Sequence, residues 1–423
     1  MPSSEQAATG PPPAALVPVA PPIRRRAGMF AIADFRRLWL IGLVVFAVRW
    51  LEMLVVGLFV YQRTGSAFEV ALMTLLRMAP MVLFGPLIGA YVERIERRRA
   101  QVAVSLSMLA TATVVAALAY AGRLEVWHLA LAAFCNGIAW AADNPVRRVM
   151  IGEVVGPERM GSAMAIDVGA NNASQMLGPT VGGLVLSSFG VAGAFSISVA
   201  CYALAVVAAL RIGHRNNIAP LVKGAMFAHI VEGLLLARRD KRLVAVLVIT
   251  VAYNVFGWPF TSMIPVLGQD SLHLAPGGIG ILASMTGVGS FFGAAAIALL
   301  ARPRHFTRLF VGAVLSYLAM MMAVALAPEA FLAGTALLAT GLANSGFSVM
   351  QATLIYLAAP PEMRSRLYGV LSLCIGSGLV GFMNIGLMAN WIGAPQATVV
   401  SGIEGLAVMA LTWRWWREIG TAG

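Results

Sequence analysis

Arg49 and Glu52 stand three residues apart inside an otherwise apolar stretch, and together they define the first chemistry to consider. Side chains at that spacing share one helix face and lie within pairing reach. A carboxylate can take up and release a proton, while a guanidinium beside it tunes that exchange and attracts an anionic group. Inside a membrane each charge costs roughly 2.5–3.5 kcal/mol on insertion scales, so such groups persist where they are paired or wet. Two readings of the couple stand side by side: proton or substrate binding in a central cavity, or a static ion pair that fixes helix packing.

Further polar groups interrupt other apolar stretches. Asp167, Asn171, Ser174 and Gln175 recur at i, i+4, i+7 and i+8, which draws a polar stripe on one helix face. Asn171 and Gln175 lie deeper and are the candidate cavity residues, while Asp167, near the end of its stretch, has a helix cap as its simplest role. Arg77 is close enough to the end of its stretch to snorkel. Asn254, Trp258, Asn344, Gln351 and Asn384 read as interhelical hydrogen-bonding or packing residues, and Glu404 as either a second proton site or an oligomer contact.

Nothing in the chain resembles a catalytic site. The five histidines lie at or outside the ends of apolar stretches, and Cys135, Cys201 and Cys374 lack partners at metal-ligand spacing. No phosphate-cradling G-x-x-x-x-G-K-[ST] loop occurs. No enzyme activity, metal or cofactor is expected, and an ion gradient or passive flow is left as the energy source.

These residues need elements to position them, and composition says which. The chain is 59% apolar and 11% charged, with mean hydropathy +0.82, far from the roughly 25% charged residues of soluble domains. An all-α polytopic membrane protein fits. Runs of spanning length, roughly 20 residues, fall at 38–61, 69–92, 101–121, 127–145, 162–187, 191–211, 243–267, 277–300, 308–327, 331–357, 367–390 and 397–416, twelve in all. With both termini inside, 26 of the 30 Lys and Arg residues fall on the inner side, as the positive-inside rule demands of a cytoplasmic face. The net charge of +12 therefore speaks for the lipid bilayer as partner rather than nucleic acid. Expected divisions are a cytoplasmic tail over 1–34, a first six-helix bundle over 35–212, a linker over 213–242 and a second bundle over 243–423. Apolar residues at helical spacing within 221–238 suggest an amphipathic helix on the membrane surface.

Residues 85–99, GPLIGAYVERIERRR, carry paired glycines and then six charged residues in the last seven. Gly85 and Gly89 recur as Gly289 and Gly293, and Pro157-Glu158 as Pro361-Glu362, all at an offset of 204. One spacing shared by two landmarks argues for duplicated, parallel bundles.

Gly89-x-x-x-Glu93-Arg94-x-x-Arg97-Arg98 resembles the loop after the second helix of major facilitator superfamily transporters, G-x-x-x-D-R-x-G-R-R/K, with Glu93 for Asp and Glu96 for the second Gly. TLLRMAPMVLFGPLIGAYVERIERRR, NPVRRVMIGEVVGPERMGSAMAI and LGPTVGG together resemble its enterobactin-exporter-like branch, the transmembrane secretion effectors. Gly178-Pro179-x-x-Gly182-Gly183 resembles the antiporter motif of exporters, with Ser174 at its first Gly position.

The resemblance implies twelve transmembrane helices in two parallel six-helix bundles that work as a monomer by alternating access. It also implies a gate in which Glu93 pairs with Arg147 or Arg148 near Asp143. The expected function is proton-coupled efflux of a small amphipathic molecule, a siderophore or drug, across a bacterial inner membrane. A metabolite importer of the same fold and a transport-inactive receptor or adaptor are the alternatives.

Overall fold

The structure is a computed structural model that describes residues 28–92, 95–215, 235, 238, 240–358, 364–414 and 416; at 86–92, 364–366 and 368 it describes the backbone alone. Glu93, Arg94, Pro361, Glu362, nearly all of the expected surface helix and most of the N-terminal tail lie outside these residues.

Runs of apolar residues with few breakers become long helices. α1 is Ala33–Thr64, ended by Gly65 in a left-handed turn at φ 65°, where a side chain would be strained. α2 follows as Ala67–Val92, α3 as Arg97–Tyr120 and α4 as Val126–Val155. The helix Met160–Leu210 turns at Gly190, φ 65° and ψ −169°, and is therefore two spans, α5 over 160–189 and α6 over 191–210. The expected division between 187 and 191 falls there. α7 begins as Lys241–Ala252 and continues through π and 3-10 turns to Ser271. α8 is Pro276–Leu300, α9 Phe306–Ala325 and α10 Ala330–Ala358. α11 combines Arg364–Gly376 with Gly378–Ile392 across a break at Ser377, and α12 is Ala394–Leu411.

Ten stretches of the described residues are long and apolar enough to cross a membrane, the longest, Pro157–Leu210, holding both α5 and α6. α4 is not among them. Its 30 residues suffice in length, but His128, Asn136 and Asp143 lower its hydropathy.

Small residues bring the helices together. A Cβ on Gly137 of α4 would collide with the backbone of Arg77 in α2, and one on Gly289 of α8 or Gly341 of α10 would collide with the backbone of the facing helix. Among the described residues, helices of the first half meet those of the second where α1 packs on α7, α2 on α7 and α11, and α5 on α8. The end where α1, α3 and α5 begin carries Arg97, Arg98, Arg99 and Arg148. Hydrogen bonds across the seams lie toward the other end: Tyr61 to Asp270, Ser66 to Asn390, and Thr180 to Ser284.

Candidate functional site

A cavity lies between the halves and is lined by α1, α2, α4, α5, α6, α7 and α8. Its wall is largely apolar and aromatic, with Met53, Met73, Met78, Phe195 and Trp258 among the lining residues. That surface suits a greasy ligand and adapts to its shape. α7 is irregular where it meets the cavity, and Trp258, Thr261 and Pro265 line it there. Broken helices at membrane depth are tolerated where they border such a cavity.

Arg49, Glu52 and Gln175 all line this space, but Arg49 and Glu52 are not a pair. Glu52 turns instead to α2 and α4: Arg77 Nη1 lies 3.7 Å from its Oε2, and Asn136 Nδ2 donates to the same oxygen at 3.4 Å. Only 2% of Glu52 is exposed. Arg77 is therefore a cavity residue, correcting the expectation that it snorkels. Arg49 stacks on aromatic rings, its guanidinium carbon 4.2 Å from the Trp140 centroid and 5.5 Å from that of Trp50. Among the described residues it has no carboxylate in ion-pair range.

Buried polar atoms of five lining residues make no hydrogen bond: Glu52 Oε1, Arg77 Nε, Asn136 Oδ1, Trp140 Nε1 and Thr286 Oγ1. Buried groups are nearly always satisfied in native structures, so this cluster marks the cavity as a place where a polar ligand, proton or water completes the bonding. Asn171 accepts a hydrogen bond from Trp50 Nε1 at 3.5 Å, which positions the indole rather than placing Asn171 among the lining residues.

A second ionic cluster sits toward the arginine-rich end. Arg147 is fully buried and donates from Nε to Asp143 at 3.1 Å and from Nη1 to Asp167. Arg148 reaches the other oxygen of Asp167 at 3.4 Å, and Gln101 Nε2 donates to Asp143 at 2.7 Å. Gly42 leaves room for this arginine, because a Cβ there would lie 2.7 Å from its guanidinium carbon. Asp167 is thus part of a buried cluster joining α3, α4 and α5, not merely a cap. Arg97 binds Glu153, and Arg98 donates to the Leu210 carbonyl at 2.6 Å, fastening α3 to the ends of α4 and α6.

The glycines of α5 split between two neighbours. A Cβ on Gly178 would lie 2.7 Å from Trp50 Cβ, and one on Gly182 2.9 Å from the Leu51 carbonyl, both in α1. Gly183 faces α8, where an added Cβ would lie 3.0 Å from Gly280 Cα. Helix α5 continues through Pro179. Elsewhere, Tyr253 donates to Asn344 at 2.7 Å and Gln351 to Thr250 at 2.9 Å, the interhelical bonding expected of these amides. Asn384 donates to Glu404 at 3.4 Å, giving that acid a partner in α11.

Comparison with known proteins places these features. The family profile described as transmembrane secretion effector matches residues 27–417. Macrolide efflux protein A of Streptococcus pyogenes is 22% identical over 346 residues, 81% of this chain and 85% of the relative. The multidrug efflux pump Tap of Mycolicibacterium fortuitum is 24% identical over 372 residues, 83% of this chain and 86% of the relative. A bacterial homolog of the human lysosomal transporter Spinster, solved in an inward-facing and unoccupied conformation, superposes with TM-score 0.72 at 15% identity, covering 93% of this chain and 98% of that one. The nucleoside transporter NupG gives 0.72 at 12% identity, with 91% and 99% covered. At these identities the solved structures establish the shared fold.

Proposed function

We propose that this chain, which belongs to the transmembrane secretion effector family of the major facilitator superfamily, carries small amphipathic molecules out of the cell by alternating access coupled to protons. The observation that carries the reading is Glu52: a buried acid, reached from a largely apolar cavity and held by Arg77 and Asn136 from two other helices. A carboxylate so placed gains or loses its pairing when it changes protonation state, which links a proton to helix packing. Efflux is favoured by the names of the relatives and by the exporter-type glycines of α5.

In this reading the halves 35–212 and 243–423, joined by 213–242, rock against one another about the midplane cavity as a monomer in the bacterial cell membrane. The arginine-rich end is cytoplasmic, and the seams hydrogen-bonded at the other end form the external seal. Gly89, Glu93, Arg94, Arg97 and Arg98 border the inner gate. A latch from Glu93, which lies outside the described residues, to Arg147 or Arg148 belongs to the same reading; Arg147 is enclosed by two aspartates, and the side chain of Arg148 is 46% exposed. The transported molecule is a siderophore or drug.

Inside-out vesicles carrying the full chain provide the test. A proton gradient is expected to drive dye or siderophore uptake in the wild type and to lose that effect in Glu52→Gln, with exchange of substrate across the membrane retained. Unchanged gradient-driven uptake in Glu52→Gln removes Glu52 from the proton path.

A further inference from the structure

We infer that the cavity takes an organic anion, a flat and largely apolar body carrying one oxyanion group that docks on the edge of the Arg49 guanidinium. The inference rests on reading this cavity as the transport site and narrows what the site accepts. Its ionisable lining residues are Arg49, Arg77 and Glu52, and Glu52 lies against Arg77. One positive charge is left without a counter-charge among the described residues. A proton on Glu52 would leave two, so the cavity is cationic in either form of the acid. A cationic ligand meets like charge in both, at short range and in a poorly polarisable surrounding.

Geometry gives the anion its seat. The guanidinium carbon of Arg49 lies 4.2 Å from the Trp140 ring centroid and 5.5 Å from that of Trp50, and with no carboxylate in ion-pair range among the described residues its N–H groups can hold two oxygens of a carboxylate, sulfonate or phosphate. Two further buried donors lack an acceptor, Nε of Arg77 and Nε1 of Trp140. Oxyanion oxygens accept from such groups, whereas an ammonium offers them nothing. Trp50, Trp140 and Trp258 supply flat apolar surface for the remainder of the molecule. An anion also leaves a negative cell interior with the membrane potential behind it.

Fluorescein and rhodamine 123 share a xanthene body and differ in charge, so they serve as the probes. Binding to the purified full-length chain in nanodiscs of zwitterionic lipid is read by fluorescence anisotropy. Fluorescein is expected to bind at least tenfold tighter than rhodamine 123. Arg49→Gln should weaken fluorescein tenfold or more, Arg49→Lys should retain most of its affinity, and Arg49→Glu should reverse the preference. Rescue by lysine separates loss of charge from loss of fold. Equal affinity for the two dyes, no binding of fluorescein, or unchanged fluorescein affinity in Arg49→Gln overturns the inference. Vesicle uptake separates it from the efflux reading: rhodamine 123 accumulating without fluorescein upholds efflux and sinks the anion. Tight fluorescein binding with neither dye accumulating upholds the anion site and sinks efflux.

Discussion

Glu52 and Arg77 hold one another between α1 and α2, with side chains 3% and 15% exposed. Breaking a buried pair from one side strands the other charge, at a cost of about 3–5 kcal/mol. Arg77→Gln is therefore expected to lower the thermal unfolding temperature in detergent, and Glu52→Gln/Arg77→Gln to regain most of the loss, since two amides of similar volume leave no stranded charge. Equal destabilisation in the single and double variants would show that the pair does not couple. The sequence made Glu52 conspicuous, because an acid deep in an apolar stretch is costly. It did not reveal the partner. Spacing puts Arg49 and Glu52 on one face, but their long side chains reach in different directions, one to the indole of Trp140 and the other to a guanidinium on the next helix. A near-i,i+3 rule has no knowledge of either neighbour.

Among the elements, α5 and α8 approach backbone to backbone at Gly183 and Gly280. A methyl group at Gly183 has no space to enter, so Gly183→Ala is expected to wedge this seam apart. The measurement is disulfide yield between cysteines introduced at Thr180 and Ser284, whose hydroxyls are 2.8 Å apart; it should fall severalfold in Gly183→Ala. Gly85→Ala serves as the control, because a Cβ there meets nothing within 4 Å, and its yield should not change. The motif of α5 was legible as a site of close packing from its glycines alone. That Gly178 and Gly182 serve α1 while Gly183 serves the opposite half was not, since register around a helix names a face but not its occupant. The π turns of α7 were also beyond reach: Pro259 and Pro265 signal a departure from regular helix without saying how it is resolved.

For the whole molecule, apolar run length and arginine placement carry most of the fold. The spans expected from the sequence follow the observed helices in order, and Gly190 turns the chain where a short loop was expected. Less legible was the cluster around Arg147, which gathers Gln101, Asp143 and Asp167 from three helices; such convergence depends on tertiary packing. One of those helices, α4, is too polar to qualify as a membrane span on hydropathy. Its consequence belongs to biosynthesis. When α4 leaves the ribosome, Asp143 is present beside Arg147, but Asp167, which pairs with both Arg147 and Arg148, has not yet been made, so one of the two arginines at the end of α4 is expected to meet the membrane without a counter-charge. Chains truncated at 156 are expected to integrate α4 poorly in a glycosylation-mapping assay, and chains extended to 190 to integrate it well. Asp167→Asn should delay or weaken that rescue. The translation machinery would then have to hold one helix at the threshold of the lipid until its successor arrives.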